Sequence, residues 1–76
     1  MNIFPREWTE ETEAFTVRRL AGSLVLEAKP GNEADFDAIA RGILNRFDDY
    51  AAFPRRDEHG RYDSVQIIST APFSAM

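Results

Sequence analysis

An α+β fold, with one amphipathic helix laid across a small β-sheet, is predicted by three features of this 76-residue sequence. Two extended runs flank Ala21-Gly22, an apolar stripe of helical period begins at Phe36, and a run of alternating polarity spans Tyr62 to Ser69. Helices and sheets bury one face each, so the simplest assembly is a two-layer ββαβ domain over residues 1–76. Its sheet would be three-stranded, antiparallel or mixed.

The first twelve residues mix Ile3, Phe4 and Trp8 with Glu7, Glu10 and Glu11 and show no sustained period. They read as an N-terminal arm in which Pro5 begins one helical turn. From Glu13 to Lys29, a two-residue turn at Ala21-Gly22 pairs Leu20 with Ser23, Val17 with Leu26 and Phe15 with Ala28. That register places Phe15, Val17, Leu24, Leu26 and Ala28 on one face and Thr16, Arg18, Leu20, Val25, Glu27 and Lys29 on the other. A one-residue slip would set Arg18 and Thr16 against Leu24 and Leu26 and mix the faces.

Pro30-Gly31 ends the second strand, and Asn32 is placed to accept a backbone N–H at a helix start. Glu33, Asp35 and Asp37 follow, where the positive end of the helix dipole favours them. Phe36, Ile39, Ala40, Ile43, Leu44, Phe47, Tyr50 and Ala51 repeat at helical spacing. The stripe predicts a helix ending near Ala51 or Ala52, because the residue before Pro54 disfavours helical geometry. Gly42, inside the helix, costs about 1 kcal/mol relative to Ala, and reads as a tolerated surface glycine or a point of close approach. Residues 54 to 61 read as a solvated loop or the tip of a second hairpin, turning at His59-Gly60. The strand from Tyr62 puts Val65 and Ile67 inward and Ser64, Gln66 and Ile68 outward. Residues 70–76 form an irregular tail.

Composition narrows the function. Thirteen acidic and nine basic side chains give a net charge of −4, which argues against a general affinity for phosphate backbones. The absence of cysteine removes disulfides, thiol nucleophiles and Cys-based zinc sites, and fits a cytoplasmic chain. No apolar run approaches the roughly 20 residues of a membrane span, and no basic start precedes an apolar stretch. Asp57, Glu58, His59 and Asp63 could gather at a metal, but a polar turn explains them without a second nitrogen or sulfur ligand. Asp48-Asp49 and Asp35 with Asp37 lack an apolar wall to raise one carboxyl, so they read as a solvated helix face. No phosphate loop or nucleophile elbow occurs. The expectation is therefore no enzyme, no cofactor and no metal.

What remains is recognition. Glu7, Glu10, Glu11, Asp48 and Asp49 can present carboxylates, and Phe4 and Trp8 are large enough to anchor an interface or to close the core. In size, acidity and lack of catalytic groups the chain resembles the small proteins that phages and mobile elements use against host machinery, anti-CRISPR proteins among them. The likeness is one of composition and rests on no motif. It implies a non-enzymatic regulator or inhibitor that blocks a basic surface of a larger protein. Leu20, Val25 and Ile68 on the second sheet face, unless the N-terminal arm covers them, invite self-association as a homodimer or a protein partner. A nucleic-acid protein using Arg18, Arg19 and the loop arginines, or a small enzyme subunit using Asp57, His59 and Asp63, are the alternatives.

Overall fold

A computed structural model describes residues 4–46 and 50–69. Along the chain run α1 (Arg6–Thr9), β1 (Phe15–Leu20), β2 (Ser23–Ala28), α2 (Glu33–Leu44), β3 (Tyr50–Arg56) and β4 (Tyr62–Ser69). The strands form one antiparallel sheet in the order β1-β2-β4-β3. The α+β class therefore stands, with two corrections: the sheet has four strands and not three, and the topology is ββαββ and not ββαβ.

The first hairpin follows its pattern. Leu20 pairs with Ser23, Val17 with Leu26 and Phe15 with Ala28, and Gly22 takes the φ of 77° that the two-residue turn requires. The face holding Leu24, Leu26, Val65 and Ile67 is sealed, each of these side chains being 2% exposed or less. Phe36, Ala40 and Ile43 of α2 press onto it, and Phe15 meets Phe36 edge to face at 6.0 Å. Burial of each large side chain stabilises the domain by about 1.5 to 3 kcal/mol before ordering costs.

The helix ends at Leu44, earlier than the stripe predicts. Phe47, Tyr50 and Ala51 fall at i, i+3 and i+4, so the period runs on in sequence after the helix has stopped. Two forces oppose continuation: Gly42 weakens the last turns, and Asp48-Asp49 would lie at the negative end of a longer helix dipole. The Asn45 N–H closes onto the Arg41 carbonyl at 3.2 Å and the Arg46 N–H onto that of Ile43 at 2.9 Å. From Tyr50 the chain alternates instead, with Tyr50 and Ala52 turned to the core and Ala51 and Phe53 away from it. Pro54 sits in this strand because β3 is an edge, where a missing N–H costs no ladder bond. Phe47 and residues 70–76, assigned above to the helix stripe and the tail, lie outside the described residues.

Asn32 does not cap the helix through its side chain. Its Nδ2 donates to the Glu13 carbonyl at 2.9 Å, and the Glu33 carboxylate accepts the Gly31 N–H at 3.1 Å instead. The second hairpin closes at Asp57 to Arg61, where Asp57 Oδ1 accepts the N–H groups of His59 at 2.8 Å and Arg61 at 3.0 Å. Gly60, at φ 82°, completes that turn. Asp37 ties the two layers together. Its Oδ1 accepts the Tyr62 N–H at 3.0 Å and its Oδ2 the Arg41 Nε at 2.9 Å.

Candidate protein-binding surfaces

The arm folds against the helix side of the sheet. Pro5 starts α1, whose single turn is held by Trp8 N–H donating to the Pro5 carbonyl at 3.0 Å. Thr9 Oγ1 donates to the Arg6 carbonyl at 2.8 Å, and the Arg19 guanidinium, reaching from β1, caps the Thr9 carbonyl at 3.0 Å. These bonds place Trp8 at the rim of the core, 5% exposed. Its ring meets Tyr50 edge-on at 5.2 Å and lies under the Arg46 guanidinium at 5.3 Å. Phe4 is half-buried and stacks on the same Tyr50 at 5.9 Å. Trp8 belongs to the buried core, and Phe4, half-buried, packs against it.

The carboxylates nearby face solvent. Glu10 pairs with Arg6 at 3.1 Å and Glu11 with Lys29 at 2.6 Å. Glu7, Glu13 and Asp35 are exposed and form no ion pair among the described residues. Glu7 stands over a cleft floored by Trp8, Thr12, Phe15 and Ile39, of about 320 Å³. Asp35 lies one helical turn from Ile39, on the same face of α2. Asp48 and Asp49, expected to join this group, lie outside the described residues.

Several of the arginines are held by carboxylates of the chain. Arg18 pairs with Glu27 at 3.0 Å, Arg41 with Asp37 at 2.9 Å and Arg55 with Asp63 at 3.1 Å. The guanidinium groups of Arg41 and Arg56 also lie over the Tyr62 ring, at 5.4 and 4.8 Å from its centroid. Each cation so held offers less to a phosphate backbone.

The acidic residues of the hairpin tip are likewise occupied. Partial burial, the largest single influence on Asp57, pushes its carboxyl up. The N–H groups of Arg61 and His59 together outweigh it and hold the group below its ordinary 3.8. Glu33 is held below 4.5 by its own backbone N–H and that of Gly31. Both share a surface hollow of about 490 Å³ with Glu27, Arg55 and Asp63, whose charges are already paired. Among the described residues no group of three or more His, Asp or Glu side chains could hold a metal ion.

The chain matches no protein-family model, no curated protein and no solved structure. Among the described residues no helix is long and apolar enough to cross a membrane. The surfaces themselves therefore carry the functional argument.

A second surface is the sheet face turned away from α2. Both the helix and the arm lie on the other side, so no described element covers it. Across β1, β2, β4 and β3, one row reads Arg18, Val25, Gln66, Phe53, and the next Leu20, Ser23, Ile68, Ala51. Phe53 is 57% exposed and Leu20 47%. Leu20, Val25 and Ile68 are legible in the sequence as members of this face. Phe53 is not, because the helical period extended through Tyr50 hides the strand that carries it. The alternation of Tyr50, Ala52 and Pro54 against Ala51, Phe53 and Arg55 is the signal that could have found it.

Gly42 is exposed, and a Cβ built there meets nothing within 4 Å. Among the described residues no close approach accounts for it.

Proposed function

We propose that the chain is a non-enzymatic protein-binding module, a small acidic regulator or inhibitor that occupies a basic surface of a larger protein. The observation that supports this reading is a set of exposed carboxylates without ion pairs among the described residues, Glu7, Glu13 and Asp35, of which Glu7 lines the cleft floored by Trp8, Phe15 and Ile39. Carboxylates left unpaired on one side build a negative potential that steers a basic partner into contact. The apolar floor beside them adds area that a partner side chain can bury. Trp8 acts here by holding the arm in place, not as a free anchor. Such a module suits the kind of protein that phages and mobile elements direct against host machinery.

The test is capture of the partner from the native host, followed by measured binding of the triple variant Glu7→Lys, Glu13→Lys, Asp35→Lys. Charge reversal should weaken binding at least tenfold and flatten its salt dependence, while the thermal melt stays close to that of the parent chain. A captured protein whose affinity ignores both the reversal and the salt would remove this reading.

A further inference from the structure

We infer that the uncovered sheet face is the contact surface of a homodimer, two copies packing face to face about a two-fold axis parallel to the strands. The argument begins with the edges. β1 ends in Arg18-Arg19-Leu20, and β3 carries Phe53-Pro54 and a register break between Arg55 and Arg56. Charge, proline and a bulge each block addition of another strand. Association through the sheet is left to its face.

That face is self-complementary in one orientation. Rotation about an in-plane axis along the strands lays β1 of one copy over β3 of the other and β2 over β4, with the rows matched. Arg18 then stands above Phe53 of the second copy, a cation over a ring, and Leu20 above Ala51. Val25 and Phe53 become neighbours. Rotation about the axis across the strands stacks Arg18 on Arg18, which like charge disfavours.

The area is sufficient. Four strands about 4.8 Å apart, each contributing about five residues at a rise of about 3.4 Å, make a face of roughly 19 by 17 Å. With the relief of the side chains, two such faces remove roughly 1,000 Å² from water, the lower bound of a specific interface. Sheets packed about 10 Å apart and rotated by about 30° accommodate the natural twist. The acidic arm lies on the opposite side, so this contact is independent of the binding reading above.

Sedimentation equilibrium on the full chain should show a monomer–dimer equilibrium in the micromolar range. Phe53→Glu should weaken it at least about thirtyfold, and Leu20→Glu should act in the same direction. Both positions are exposed, so the fold should survive, as far-ultraviolet circular dichroism would show. The chain has no cysteine, so introduced thiols are unique. A bis-maleimide of about 10 Å, the distance between packed sheets, should join Arg18→Cys chains to Phe53→Cys chains in a mixture and leave Arg18→Cys alone uncoupled. A monomer at near-millimolar concentration overturns the inference, as does a dimer indifferent to Phe53→Glu. Coupling of Arg18→Cys to itself overturns the proposed axis, and a monomer that binds another protein through Phe53 assigns the face to that protein instead.

Discussion

At the scale of single residues, Trp8 and Asp37 do more for the fold than their neighbours. Trp8 joins the arm to Tyr50 and Arg46 at the rim of the core. Truncation of a buried aromatic costs about 3 to 5 kcal/mol, a large part of the total stability of so small a domain. Trp8→Ala should therefore lower the urea midpoint sharply, with any affinity for a partner kept by the molecules that remain folded. A midpoint close to that of the parent would place the indole outside the core. Asp37 is held below its ordinary 3.8 first by the side-chain bond from Arg41 and next by the Tyr62 N–H. A carboxyl depressed by folding contributes stability that is present above its unfolded pKa and is lost as the pH falls through the folded value. The melting temperature of Asp37→Asn should thus lie below that of the parent near neutral pH, and the gap should close as the pH falls from about 6 to about 2. A constant gap would mean that the charge is not what matters. The other depressed carboxyls, Glu33 and Asp57, are common to both chains and cancel in the difference.

At the scale of elements, the first hairpin, the last strand and the helix start were legible for a simple reason. Phe15, Val17, Leu24, Leu26, Val65 and Ile67 alternate with polar groups, and a period of two fixes both the strand and its buried face. Glu33, Asp35 and Asp37 mark the start of α2 through its dipole. The helix end was hidden because Phe47, Tyr50 and Ala51 satisfy the helical period by coincidence, and because Pro54, read as a breaker, is tolerated on an edge strand. β3 was lost for the same reason. Gly42 makes a separate statement about α2. It is exposed, inside the helix and surrounded by open space. Gly42→Ala should raise stability by about 0.5 to 1 kcal/mol, read as a higher urea midpoint with an unchanged slope. A neutral or negative effect would show that the last turns of α2 need the freedom glycine provides.

At the scale of the whole molecule, the arm with its carboxylates and the sheet face that no described element covers lie on opposite sides. The carboxylates of the arm were visible in composition, since charge survives any rearrangement of the fold. Their spatial relation to Trp8, Phe15 and Ile39 was not, because a cleft between an irregular arm and a helix leaves no period in sequence. The bare sheet face was half legible: Leu20, Val25 and Ile68 alternate as expected, while Phe53 needed the fourth strand to join them. The strand order also bears on how the protein comes into being. β4 is the last of the four strands to leave the ribosome, yet it lies between β2 and β3 and receives much of the helix. Until it emerges, β2 has no inner neighbour, α2 lacks much of its floor, and Leu24, Leu26, Phe36 and Ile43 are only partly covered. A nascent chain stalled before Tyr62 should therefore be bound by chaperones and cut by proteases more readily than the full chain.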